Sequence, residues 1–174
     1  MTLFSPVPAP SGFCTILSLA TQQNMFTDHV DISQAELLPG DGHNGKVYIS
    51  SPPGYDKDPL EVYGLLKPLY SMPSAARAWH ATMSAFLANE GCATVGFENS
   101  MWTVTIDGAR VLLGAHIDDF VIACANRKII DGFRARLLDG FEGTYEGKLQ
   151  HYLGCEVTRD MGKGTQEQGS FDRK

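Results

Sequence analysis

The chain contains 174 residues, of which 43% are hydrophobic and 20% are charged, and its formal net charge at pH 7 is −6. This composition is typical of a folded globular domain rather than a disordered chain, and no apolar run reaches the ~18 residues that a membrane-spanning helix requires. The acidic balance argues against an independent duplex-binding protein, because affinity for nucleic acid depends largely on Lys and Arg contacts with phosphates.

The N-terminal half of the sequence carries short helix and strand signals. Its first stretch, MTLFSPVPAPSGF, lacks the basic segment and the continuous apolar segment of a signal peptide, which predicts an intracellular, cytoplasmic protein. The next stretch, FCTILSLATQQNMF, has the apolar spacing of a helix, and DHVDIS predicts a short strand around Val30 and Ile32. LLPGDGHNGK then predicts a loop, and KVYIS predicts a strand that ends before the prolines of SPPGY.

The C-terminal half contains the strongest secondary-structure signals. MPSAARAWHATMSAFLANEG predicts a helix with Pro73 in its first turn and Gly91 at its end. MWTVTIDGARVLLGAHIDDFVIAC predicts three strands, the first two joined by a hairpin turn at its DG dipeptide. LQHYLGCEV predicts one further strand. Between them, RKIIDGFRARLLDGF predicts a helix that packs through Ile130, Phe133 and Leu137.

Two possible site motifs fail on spacing or context. The four cysteines form no CxxC pair, so they predict core thiols rather than a zinc site or a disulfide framework. GDGHNGKV, residues 40–47, matches the first seven positions of the phosphate-binding GxxxxGK[ST] loop. Val47 replaces the hydroxyl that would hold Mg²⁺, and a strand rather than a helix follows. The stretch therefore predicts a turn rather than an NTPase site.

Two adjacent acids, Asp118 and Asp119, lie between apolar runs that read as buried sheet. They could form a solvated turn, but carboxylates held together at the end of a buried sheet repel each other unless a cation neutralises them. Mg²⁺ is the natural partner, because it prefers oxygen ligands. Asp31, at the exit of the strand in DHVDIS, could be a turn residue or could complete three carboxylates around two cations, as in phosphoryl transfer.

Basic residues near the start of the long helix leave two alternatives open. Arg77, together with Lys67, could meet the phosphates of a nucleotide or template, or it could lie on a solvated helix face.

The order of six stretches resembles the reverse transcriptase of copia-type LTR retrotransposons. The resemblance covers residues 4–158 and implies an α+β fold, the palm of a polymerase, with an antiparallel sheet, helices packed on one face, and incomplete fingers and thumb. The stretches are SPVPAPSGFCTILSLATQQNMFTDHVDISQA, KVYISSPPGY, LLKPLYSMPSAARAWHATMSAFLANEGC, VLLGAHIDDFVIA, FRARLLDGFEG and LQHYLGCEV.

The resemblance also implies roles for individual residues. Asp31 and Asp118 match the family's principal metal ligands, and Asp119 matches its third catalytic acid, which implies two Mg²⁺ ions, with Mn²⁺ as a possible substitute. The segment LYSMPSAARAW falls where the family contacts template and incoming nucleotide, which implicates Ser74 and Arg77.

Further matches and departures concern the substrate pocket. YLGCEV resembles the primer grip, with Leu153 and Gly154 at its centre. Glu36 stands where the family has an aromatic residue that excludes the wrong sugar, and about four residues are missing before it by comparison with the family pattern. His116 stands where the family has tyrosine, and Ser74 where it has glutamine.

The resemblance implies a fragment of a Pol polyprotein whose parent enzyme is an RNA-directed DNA polymerase. The parent would bind an RNA or DNA template with primer and deoxynucleoside triphosphate, not a membrane, and would act in a virus-like particle. Residues 1–158 are expected to form a partial reverse transcriptase domain and residues 159–174 a frayed polar tail, with fingers, thumb, RNase H and integrase missing from this chain.

The fragment alone is expected not to polymerise DNA. The alternative is a catalytically dead remnant that acts, if at all, as a nucleic-acid or protein interaction module. Divalent-cation binding and primer extension would separate the two hypotheses.

Overall fold

A computed structural model describes most of the chain, namely residues 10–33, 47–51, 54–55, 62–66, 69, 72–95, 98–160 and 165–168. Within these ranges the helices are α1 Pro10–Gln22, α2 Pro73–Asn89 and α3 Arg127–Gly140. The strands are β1 Phe26–Ile32, β2 Tyr48–Ser50, β3 Val62–Gly64, β4 Ala93–Val95, β5 Glu98–Ile106, β6 Ala109–His116, β7 Asp119–Cys124, β8 Gly143–Lys148, β9 His151–Tyr152, β10 Cys155–Asp160 and β11 Thr165–Gln168.

A six-stranded sheet in the order β4-β5-β6-β7-β1-β8 forms the centre of the fold. Each of its strand pairs is antiparallel. Smaller sheets pair β11-β10-β9 and β2-β3. The predicted α+β class with an antiparallel sheet is confirmed. None of the helices in the described ranges is both long and apolar enough to cross a membrane.

Helices α2 and α3 cover one face of the six-stranded sheet. Because side chains alternate between the two faces of a strand, Val30 and Ile32 of β1 point to this side. They join a buried cluster that includes Trp79 and Met83 of α2. The predicted packing of α3 is confirmed, since its buried residues are Ile130, Phe133 and Leu137.

Helix α1 packs against the opposite face of the sheet. Its residues Phe13, Ile16 and Leu17 form a second buried cluster with Leu112 of β6 and Val121 of β7. The prediction that the helices pack on one face is therefore wrong for α1. An amphipathic pattern shows that a helix buries one side but does not show which face of a sheet receives it.

Local sequence signals place the ends of α2 and α3. Pro73 occupies the first turn of α2, as predicted, and Gly91 beyond its end has a positive φ of 79°. Such a conformation favours glycine because it has no Cβ. The N-cap of α3 is Asn126, whose side-chain oxygen accepts a hydrogen bond of 3.0 Å from the Lys128 N–H.

Two hairpin turns share one backbone conformation. Asp107 and Gly108 both have positive φ, as a type I′ turn requires, so the predicted hairpin is confirmed. Leu153 and Gly154 also both have positive φ, and they connect β9 to β10. LQHYLGCEV is therefore a hairpin rather than the single predicted strand. Residues 165–168, predicted as part of the tail, pair with β10 as β11.

A β-bulge interrupts the pairing of β1 with β8. His29 pairs with Gly147 and Val30 pairs with Tyr145, so Glu146 is an extra residue in β8. Gly147 has a φ of +96°. Bulges of this kind redirect a side chain and locally increase the twist of a strand.

A buried carboxylate on the helix-covered face of β1 is neutralised by α3. Asp28 is fully buried and accepts two hydrogen bonds from Arg127, at 2.8 and 3.0 Å, and one from Arg134. Arg134 also stacks over the Tyr145 ring at 3.9 Å. Removal of one partner from a buried ion pair is costly because it leaves an uncompensated charge, so this network links β1 firmly to α3.

Replacement of Gly143 by alanine is predicted to destabilise the fold. A Cβ at this first residue of β8 would lie 2.5 Å from the Asp31 carbonyl oxygen, so backbone must shift. Such overpacking costs about 1–3 kcal/mol of unfolding free energy, which thermal denaturation would detect. Gly132→Ala is the matched control, since its Cβ meets only Arg136 at 3.8 Å. In a helix this change stabilises by up to about 1 kcal/mol; an equal effect of both variants would contradict the prediction.

Candidate functional site

The pairing register of β1 and β7 brings two of the predicted acids together. Asp31 lies directly opposite Asp119. The Ile32 N–H donates a hydrogen bond of 2.9 Å to the Asp118 carbonyl. Because hydrogen-bonded and non-hydrogen-bonded pairs alternate along an antiparallel ladder, the neighbouring Asp31–Asp119 pair is a non-hydrogen-bonded one. Side chains approach most closely in such pairs, so both carboxylates leave the sheet side by side.

The turn between β6 and β7 carries Asp118. His116 pairs with Asp119, so the turn has two central residues, Ile117 and Asp118. Ile117 has a φ of +55°, at the position where a type II′ turn normally has glycine. A β-branched residue rarely adopts positive φ. The backbone is therefore strained immediately before the paired acids.

The electrostatics show that the three acids share one region. Burial raises the pKa of Asp31, and the negative charges of Asp118, Asp119 and Glu146 raise it further. Glu146 is the extra residue of the β8 bulge, and no sequence signal pointed to it. Three neighbouring carboxylates thus disfavour the ionised form of Asp31 at this end of the sheet, which is the condition that a bound cation relieves.

Asp119 is held by two aromatic residues on the same face. The His29 Nε2 lies 3.0 Å from an Asp119 carboxylate oxygen, and this hydrogen bond raises the pKa of His29. The His29 ring meets the Tyr152 ring edge-on at 5.9 Å. The Tyr152 hydroxyl donates to the Asp119 carbonyl at 3.3 Å. Burial raises the pKa of Tyr152, and the charges of Asp119 and Asp118 add to this effect.

The donor types at this site fit a hard divalent cation. Carboxylate oxygens are the ligands that Mg²⁺ prefers, and Asp31, Asp118 and Asp119 supply them. Among the residues that the structure describes, however, no three His, Cys, Asp or Glu side chains are already arranged to hold a metal ion. One Asp119 oxygen is directed to His29 instead. Cation binding therefore requires these side chains to rearrange.

Only some of the remaining predicted site residues lie in the part of the chain that the structure describes. Arg77 is exposed on α2. Glu36, Lys67 and the side chain of Ser74 lie outside the described residues, as do positions 40–46 of the glycine-containing loop. Leu153 and Gly154 form the β9–β10 turn.

The β9–β10 turn lies on the same face of the sheet as Asp119. Leu153 packs against the α1-side cluster, and the adjacent Tyr152 contacts Asp119. Sequence reasoning missed Tyr152, because no local pattern links it to an acid 33 positions away. It also missed His29, although two residues apart on one strand share a face, so its alignment with Asp31 was available from the spacing.

Substitution of Asp118 is predicted to lower the pKa of Asp31. Asp118→Asn removes one of the negative charges that disfavour ionisation of Asp31, so the Asp31 pKa should move down toward its ordinary value. A carbon-detected NMR titration of the carboxyl groups measures this shift. Asp107→Asn is the matched control, since Asp107 is an exposed acid in the other hairpin turn of β6. An unchanged Asp31 pKa in Asp118→Asn would show that the two acids are not coupled.

Comparisons with known proteins identify a family and a relative. A sequence model of the family described as "Reverse transcriptase (RNA-dependent DNA polymerase)" matches residues 1–173. The chain is 24% identical over 161 residues to a Nicotiana tabacum protein described as "Retrovirus-related Pol polyprotein from transposon TNT 1-94". This alignment covers 91% of the chain and 12% of the tobacco protein, so the chain spans a small part of that relative's length. No solved structure gives a significant match.

Proposed function

This chain belongs to the reverse transcriptase family, and from that premise we propose that it carries the nucleotide-transfer site of an RNA-directed DNA polymerase. The six-stranded sheet would be the palm, and Asp31, Asp118 and Asp119 the acids that hold divalent cations. The observation that supports this best is the direct pairing of Asp31 with Asp119 beside the Asp118 turn. Acids far apart in sequence meet at one end of one sheet face.

The reaction would be template-directed transfer of a nucleotide to a primer 3′-hydroxyl, with pyrophosphate as the leaving group. Two Mg²⁺ ions, or Mn²⁺ in their place, would stabilise charge on the attacking and leaving oxygens. The chain's own contribution is positional: the β1–β7 register fixes Asp31 and Asp119, and the strained turn fixes Asp118. The Asp119 carboxylate would give up its hydrogen bond to His29 and bind the cation instead.

Two further features supply candidate substrate contacts. Arg77 is exposed on α2 and would bind a phosphate of the nucleotide or template. The turn at Leu153 and Gly154 would contact the primer, because Tyr152 joins it to Asp119. The tobacco relative is named as a Pol polyprotein of a transposon, so we propose a copia-type element as the source. Template, primer and the other Pol domains would then be its partners.

Cation binding provides the direct test of the site. The chain is expected to bind Mn²⁺ or Mg²⁺ in titration calorimetry, and Asp118→Asn should weaken this affinity at least about tenfold. Even substitution of residues that only hydrogen-bond to a metal ligand typically lowers metal affinity about 10–100-fold. The control Asp107→Asn removes the same charge from the other hairpin turn and should leave the affinity unchanged. Equal loss in both variants would indicate a general charge effect, and absence of binding in the parent chain would contradict the proposed site.

A non-polymerising remnant is the second candidate, and the His29–Asp119 hydrogen bond favours it, because it engages an acid that catalysis needs. Primer extension on a primed RNA template in Mg²⁺ tests turnover. We expect the isolated chain not to exceed an Asp118→Asn, Asp119→Asn control, because a net charge of −6 gives little counterion release on binding a template. Clear extension above that control would overturn this expectation and exclude the remnant.

A further inference from the structure

Three consecutive carbonyls of the acid-bearing turn are each bonded by a different part of the fold. The Ile117 carbonyl accepts from the indole Nε1 of Trp79 at 2.5 Å. The Asp118 carbonyl accepts from the Ile32 N–H at 2.9 Å, and the Asp119 carbonyl from the Tyr152 hydroxyl at 3.3 Å. Helix α2, strand β1 and the β9–β10 hairpin thus converge on the backbone of the turn.

The bond from Trp79 acts at the strained residue itself. Ile117 has the φ of +55°, and residues in sparsely populated conformations persist only where their surroundings hold them. The side chain of Ile117 gives little support, since it is 41% exposed. Its carbonyl, in contrast, is tied to the helix-covered core on the other side of the sheet.

Trp79 is well placed to hold that carbonyl. It is 3% exposed, and its ring meets the Phe141 ring edge-on at 5.1 Å. A side chain packed in this way loses little further freedom when it donates a hydrogen bond. A buried indole N–H also needs a partner, so the bond stabilises the helix and the turn together.

We propose that Trp79 is a positioning residue for the acids of the site. Its indole N–H fixes the Ile117 carbonyl and so keeps the turn in the conformation that sets Asp118 and Asp119 beside Asp31. The consequence for cation binding rests on the proposed function. The consequence for the turn itself does not, because it follows from the hydrogen bond alone.

The test compares two Trp→Phe variants of the full chain. Trp79→Phe keeps an aromatic ring against Phe141 and removes the N–H. Trp102→Phe is the matched control, since Trp102 is 2% exposed in the same buried cluster. The readouts are amide hydrogen exchange at residues 117–120, measured by NMR, and Mn²⁺ affinity, measured by calorimetry. Loss of one net hydrogen bond should accelerate exchange and weaken Mn²⁺ binding about three- to tenfold in Trp79→Phe.

The two readouts test the positioning role of Trp79 and the proposed function separately. Faster exchange at residues 117–120 in Trp79→Phe than in Trp102→Phe supports the positioning role, and equal exchange in the two variants overturns it. Absence of Mn²⁺ binding in the parent chain contradicts the proposed function, while the exchange comparison still decides the role of Trp79. If Trp79→Phe does not fold, incorporation of benzothienylalanine at position 79 keeps the shape of the ring system and removes the N–H, and the same exchange comparison applies.

Discussion

The in-register antiparallel pairing of β1 with β7 is the constraint on which the site and the core both depend. The side chains of a strand alternate with a period of two, so a slip of one residue reverses its faces. Such a slip would turn Asp31 toward α2 and α3, and would turn Val30 and Ile32 toward α1. The same register therefore places the acids at one end of the sheet and buries Val30 and Ile32 in the hydrophobic cluster under α2 and α3.

Polar contacts add specificity to this hydrophobic constraint. Apolar side chains of similar size could fill the space under the helices in more than one register, but a buried carboxylate is strongly destabilising without its set of cationic partners. Asp28 has that set in Arg127 and Arg134 of α3. Because Asp28 and Asp31 lie on opposite faces of β1, the ion pairs on the helix side also determine which way the acid on the other side points.

Much of the fold followed from local sequence, and the parts that did not are tertiary. Helix α3 was predicted because its apolar period is regular, and the turn at Asp107 because only certain dipeptides adopt that backbone conformation. The residues alone left open whether Asp31 meets the later acids, because β1 and β7 are distant in sequence, and the family resemblance favoured that meeting. The bond between His29 and Asp119 depends on strand pairing across 90 positions, and the position of Glu146 depends on a bulge that has no composition signal.

The bulge in β8 has a consequence for how copies of this chain meet. Among the strands that the structure describes, β8 lies at an edge of the six-stranded sheet, and a regular edge strand is a template for addition of strands from other molecules. Here the edge is interrupted by the extra Glu146 and by Gly147 in a left-handed conformation, and Lys148 lies exposed at its end. The β8 edge therefore offers another strand neither a continuous row of backbone hydrogen-bonding groups nor an uncharged surface. Both features disfavour edge-to-edge aggregation at the side of the sheet nearest the acids.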